Sequence, residues 1–187
     1  MHNEIDAWVR RFGFGKGLAI NELSKDLFSI VVETEAGRKD NLADVGFGIS
    51  QVLPLIVQAI AAPEESLTIA EQPEIHLNPK LQGVLAELFV EMANADHRVV
   101  VETHSEHLLL RLRTLVAQGE IDSRKVAIYF VEKKGEHSTI RHIPLEANGH
   151  VQPAEWPDGF FGDTLQESLA LASSQAKRKE GQDSENG

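Results

Sequence analysis

The chain has 187 residues, a formal net charge of −11, 42% hydrophobic and 25% charged residues, and no cysteine. That suits one domain, or one domain with an appendage, around a real core. The acidic balance argues against a general nucleic-acid coat, which needs clustered cations, while leaving room for a local basic patch. With no cysteine there is neither disulfide nor thiolate metal site, which fits a reducing compartment. The N-terminal residues lack a signal-peptide run, and no stretch approaches the roughly 20 apolar residues of a spanning helix. The expectation is a soluble, cytoplasmic protein with no membrane partner.

In chain order, Ile5, Trp8 and Val9 suggest a short first helix. RFGFGKGL follows, with Gly13, Gly15, Lys16 and Gly17 in the guise of a phosphate loop. The pattern G-x-x-x-x-G-K-[ST] is not met, because Arg10 stands at its first Gly and Gly17 at its hydroxyl position. A glycine turn before a strand is the better reading. Residues 27–34 have strand composition, and Ala36 to Lys39 make a turn. Gly46 and Gly48 then bracket Phe47 ahead of a helix expected to start near Ser50 or Gln51, with Pro54 in its first turn. Its apolar residues from Val52 to Ile60 surround most of the helix, so it should be buried. Bare glycines before a helix let backbone N–H groups face an anion, although G-x-G alone reads better as a tight turn.

Ser66 to Leu85 organises the chain. Leu67, Thr68, Ile69 and Ala70 form a short apolar run, expected to be a strand covered on both faces. Glu71 and Gln72 stand at its carboxyl end, where open α/β sheets hold ligands. Asn78 can cap the following helix and Pro79 suits its first turn. Leu81, Val84, Leu85, Leu88, Phe89 and Met92 supply its apolar stripe. A second valine-rich strand, Arg98 to Val101, leads to Thr103, His104 and Ser105, where Ser105 can cap a helix carrying Leu108, Leu112, Leu115 and Val116. Val126 to Val131 reads as a third apolar strand, with Thr139 to Ile143 pairing back as a hairpin. Alternating strands and helices predict a parallel α/β sheet. An irregular aromatic segment around Trp156, Phe160 and Phe161 reads as a packing plug, residues 163–171 as a short helix, and Ser173 onward as a disordered tail.

Four pieces lie at consecutive element ends: the Gly46–Gln51 turn, Glu71–Gln72, the Glu74–His76 turn and His104. With NLADVGFGISQVLPLIVQ, LTIAEQPEIHLNPKLQ and VVVETHSEHLLLRL in this order, the chain resembles the C-terminal half of an ABC-type ATPase of the SMC-like and OLD-like (overcoming-lysogenization-defect) kind. WPDGFFGD resembles the small domain of unknown function that ends some predicted bacterial members. The resemblance covers about residues 28 to 172. It implies the P-loop NTPase fold, here as a partial parallel sheet flanked by helices with a short C-terminal appendage. The expected division is 1–145 for the ATPase lobe, 146–172 for the appendage and 173–187 for the tail.

The resemblance also implies roles. Glu71 takes the Walker B position that holds Mg²⁺ on ATP, a hard cation suited to a carboxylate. Gln72 takes the position of the water-activating base, His104 the switch position near the γ-phosphate, and Gly46, Gly48, Ser50 and Gln51 the signature turn. In the family that turn contacts nucleotide held by the opposite subunit, so a homodimer or a P-loop-bearing partner is expected.

Three residues or patterns depart from the family. Gln72 cannot accept a proton as an acid's conjugate base does, but it can orient water, since phosphoryl transfer depends mainly on positioning and charge; Glu74 is the substitute base. Gly46 stands where a signature Ser is common. No P-loop is present, so the chain reads as a half-domain: a truncated product, a split subunit or a degenerate relative. By itself it is expected to bind ATP weakly without hydrolysing it. The intact relative would couple ATP binding and slow hydrolysis to dimerisation, in DNA transactions or phage defence by family analogy; the net charge gives nucleic acid no support.

Two other readings compete. A non-catalytic module would dock on a complete ATPase and supply its parts in trans. A metal hydrolase would use Glu71, Glu74, His76, His104 and His107, although no H-E-x-x-H is present. His107, Glu106 and Glu102 read as a solvated helix start.

Overall fold

The computed structural model describes residues 2–152 and 155–156, so the helix expected over 163–171, the aromatic segment beyond Trp156 and the tail from Ser173 lie outside the described residues. Two compact units are present among the described residues, one running to Lys125 with Ala147–Gly149, the other Val126–Glu146 with the described residues from His150 to Trp156.

The first unit opens with helix α1 (His2–Arg11), whose Glu4 and Arg10–Arg11 lie at the ends that the helix dipole favours for their charges. Trp8 and Val9 face inward as the spacing predicts. Strands β1 (Gly17–Ser24) and β2 (Leu27–Glu33) form an antiparallel hairpin, and β3 (Lys39–Asn41) pairs with the far side of β2. The glycine run between α1 and β1 is a close crossing. A Cβ on Gly15 would fall 2.5 Å from the Glu33 carbonyl oxygen, and the adjacent Lys16 N–H donates to that same oxygen at 2.7 Å. That contact agrees with the turn reading.

Helix α2 spans Phe47–Ala61. It begins earlier than the expected Ser50 or Gln51, so Gly48, Ser50 and Gln51 are helical, and Pro54 sits inside the helix. Glycine's freedom suggests a loop, but only Gly46 remains outside the helix, as its cap. Ile49, Val52, Leu53 and Ile56 are buried, while Val57 is exposed, so the helix is covered on one side.

Next come β4 (Leu67–Glu71), α3 (Pro79–Asn94), β5 (Arg98–Glu102) and α4 (Glu106–Ala117). β4 and β5 pair in parallel, with Leu67 opposite Arg98 and Glu71 opposite Glu102. Their caps follow the sequence: Asn78 Oδ1 accepts from Leu81 N–H at 3.1 Å, and Ser105 Oγ accepts from Leu108 N–H at 2.9 Å. The core joins Trp8 and Phe12, Val52 and Ile56, Ala70, Leu85, Leu88, Phe89 and Met92 of α3, and Leu108. Glu87 on α3 accepts from Arg11 and from Arg111, each at 2.6 Å, tying α1 and α4 to the central helix.

Two expectations change here. β4 is not covered on both faces: Thr68 and Ala70 are buried, but Leu67 and Ile69 are 54% and 64% exposed, and Val100 on β5 is 54% exposed. Because paired residues of a parallel sheet share a face, these three side chains form one bare apolar face that ends on Glu71 and Glu102. No third strand pairs with β4 or β5 among the described residues. The third apolar strand also leaves the parallel sheet. In the second unit, β6 (Ile128–Lys134) pairs antiparallel with β7 (His137–Ile143), and with no other strand among the described residues. Its short connection, with Gly135 at φ 64°, makes local pairing easy to close. Among the described residues, no helix is long and apolar enough to cross a membrane.

Candidate nucleotide-binding edge

β4 and β5 run the same way, so their carboxyl ends open on one edge. Glu71 is the last residue of β4 and Glu102 the last of β5. They are register partners on the same face, about 4.8 Å apart along the sheet by strand spacing. Both are exposed. All-oxygen donors of this kind fit a hard divalent cation such as Mg²⁺. Glu102, expected at a solvated helix start, is exposed but ends a strand, four residues before α4 begins. The signal was there: LTIAE and RVVVE are both short apolar strands tipped by an acid.

The turn after β4 is wound tightly. Gln72 and His76 adopt φ of 45° and 65°, left-handed values uncommon for residues with a Cβ. Such strain persists only where surroundings hold it, and it concentrates at functional turns. Several contacts do the holding. Gln72 N–H donates to the Glu102 carbonyl at 2.8 Å, Ile75 N–H to the Gln72 carbonyl at 3.2 Å, and Leu77 N–H to the Glu74 carbonyl at 3.0 Å. Gln82 on α3 donates to the Leu77 carbonyl at 2.9 Å, and its Oε1 accepts from the Ser105 hydroxyl at 2.6 Å.

Glu74 is buried. Its Oε1 accepts from the His104 backbone N–H at 2.8 Å, while its Oε2 has no hydrogen-bond partner. His104 itself presents its ring at the exposed surface, in the irregular link between β5 and α4. Ser105 N–H donates to Thr103 Oγ1 at 3.0 Å and completes that link.

The start of α2 reaches the same turn. Gln51 Nε2 donates to the Gln72 carbonyl at 3.3 Å. The Phe47 and His76 rings lie 5.7 Å apart, tilted. Gly48 packs so closely that a Cβ would sit 3.1 Å from the Leu77 side chain and 3.5 Å from the His76 carbonyl. A side chain here would have to push the Leu77 side chain aside by a few tenths of an ångström. Gly46 caps the helix and is exposed, whereas Ser50 turns its hydroxyl to the Leu42 carbonyl at 3.5 Å. Two links therefore meet at this turn: Gln51 to Gln72 and on to Glu102, and Glu74 to His104. Among the described residues, no three of His, Asp and Glu are grouped to hold a metal, so the five-ligand hydrolase site does not form. Glu74 is turned inward onto a backbone amide instead.

A family model described as an AAA ATPase domain matches residues 13–109, just over half of the chain. A second, described as a protein of unknown function (DUF3696), matches residues 121–171. No curated protein matches the chain. Among solved structures, one from work on ATP-driven dimerization and DNA-stimulated activation of SMC ATPases aligns at 11% identity and TM-score 0.53. It covers 76% of this chain and 83% of that one. An SmcHead bound to the C-winged helix domain of ScpA aligns at 12% identity and TM-score 0.55, covering 78% of this chain and 44% of that one. At such identities the likeness is one of fold, the P-loop NTPase fold of SMC heads. The chain belongs to the AAA ATPase domain family, built like an SMC-type head and followed by the segment of unknown function.

Proposed function

We propose that this chain is the Walker B, signature and switch lobe of a nucleotide-sandwiching ATPase, completed by a lobe that carries the P-loop. The observation that supports this most is the two-stranded parallel sheet, bare on the face of Leu67, Ile69 and Val100 and ending on Glu71 and Glu102. An apolar sheet face left in water is unfavourable and fits a surface that another element covers. Glu71 is the residue that would hold Mg²⁺, whose charge would offset that building on the phosphates. Gln72, fixed through both its backbone groups, orients water rather than deprotonating it. His104 reaches the terminal phosphate from a fixed main chain. The N-terminus of α2 with Gly46 and Gly48 faces phosphate held by a second subunit, where backbone N–H groups favour an anion. By analogy with the SMC heads, assembly would be driven by ATP, with DNA as a candidate activator.

Calorimetry with Mg–ATP tests the reading on the chain alone and mixed with a P-loop-bearing lobe. The expected result is weak binding and no turnover alone, with tight, Glu71-dependent binding after completion. Steady-state hydrolysis by the isolated chain, abolished by Glu71→Ala, would sink the half-site reading. A docking role without catalysis is favoured by one feature, the solvent-exposed Phe47 ring against His76 at the start of α2. In that case the chain would bind a complete ATPase and leave its own Glu71 without effect on turnover.

A further inference from the structure

We propose that Glu74 is a positioning residue that clamps the switch histidine, and not the base that takes a proton from water. The role rests on the nucleotide reading above. A general base has to come within about 2.6–3.2 Å of the water it deprotonates. Glu74 is 7% exposed, and its Oε2 is sealed from solvent. Its other oxygen is already engaged with His104 N–H at 2.8 Å, across thirty residues of sequence.

That bond falls at a strategic place. Residues 103–105 form no helix or strand, so they lack the repeating ladder that fixes a backbone. Ser105 is held by Thr103 and Gln82, but the His104 amide is donated to Glu74. The arrangement leaves an exposed imidazole on a fixed main chain, as a side chain needs if it must meet a ligand without losing orientation. Glu74 also lies two residues beyond Gln72, in the same strained turn. A shift of the turn that carries Gln72 therefore moves the acceptor that holds His104. The two expected phosphate-facing groups are linked through one buried carboxylate.

The two roles separate on substitution. Glu74→Gln keeps an oxygen acceptor for the His104 amide but cannot serve as a base; Glu74→Ala removes the acceptor. The assay is NMR on the full chain: hydrogen exchange at the His104 amide, and the shift of the His104 ring on titration with Mg–ATP. Gln82→Ala is the control, since it loosens the Leu77–Ser105 tie without touching the His104 amide. The clamp predicts that Glu74→Ala speeds His104 exchange roughly 10-fold or more and abolishes the ring's response to Mg–ATP. Glu74→Gln should keep both near wild type, and Gln82→Ala should leave His104 exchange unchanged. Unchanged exchange in Glu74→Ala overturns the proposal, as does Glu74→Gln behaving like Glu74→Ala. A wild-type ring that ignores Mg–ATP even in the chain completed by a P-loop-bearing lobe, with the amide results as expected, retires the nucleotide reading and reduces the clamp to a structural tie.

Discussion

Ile69 offers the sharpest check on the bare sheet face. It sits mid-strand in β4 with 64% of its surface exposed, so about a third is covered. Full burial of such a side chain is worth about 1.5–3 kcal/mol, so the covered part contributes only about 0.5–1 kcal/mol to the isolated chain. Ile69→Thr keeps the β-branch, which holds strand propensity nearly constant. It should therefore lower stability by less than about 1 kcal/mol. The same substitution at Ile56, which is fully buried in α2, should cost about 2–4 kcal/mol. Urea unfolding reads this directly, as a small midpoint shift for Ile69→Thr and a large one for Ile56→Thr at constant slope. On completion by a P-loop lobe the order changes: covering the remaining surface of Ile69 is worth about 1–2 kcal/mol, so Ile69→Thr should weaken association about 5- to 30-fold. Equal destabilisation by the two variants in the isolated chain would refute the reasoning, because the face would then be packed already.

Two further predictions concern local structure. Asn78→Ala removes the α3 cap that accepts from Leu81 N–H and should cost about 1 kcal/mol in urea unfolding, with Asn78→Ser restoring most of it. The Asp122 carboxyl is held down to about 2, from an ordinary 3.8, chiefly by the Arg124 side chain and also by its backbone amide. A folded value below the unfolded one means the contribution is complete above about pH 4 and is lost as pH falls toward 2. NMR titration should place Asp122 near 2, and Arg124→Gln should raise it only part of the way to the usual carboxylate range, because the backbone amide at 124 still donates to it.

Much of the site could be read from residue order, because its parts are strand tips and helix caps, which local chemistry defines. Asn78–Pro79 and Ser105 mark the starts of α3 and α4, and the apolar runs before Glu71 and Thr103 mark the strands that end on the candidate residues. Glycine misled at α2: Gly46 to Gly48 suggests a loop, but only Gly46 stays outside, as the cap, and Gly48 is helical and lies against Leu77 from far along the chain. Glu102 tips a short apolar strand as Glu71 does, and only pairing in register sets the two side by side. Glu74 was identified, but its direction was not, since an acid in a turn normally faces water.

Composition and spacing by themselves determined that β4, α3, β5 and α4 exist, that acids and a histidine tip the strands, and that a P-loop motif is lacking. Those properties come from periodicity and capping within a few residues, which the chain carries wherever it folds. Tertiary structure decided which faces are covered, that β6 pairs with β7 and stays out of the parallel pair, and that Glu74 turns inward to hold His104. Each of these depends on what packs against an element from a distant part of the chain. An apolar run reads alike whether one of its faces or both are covered.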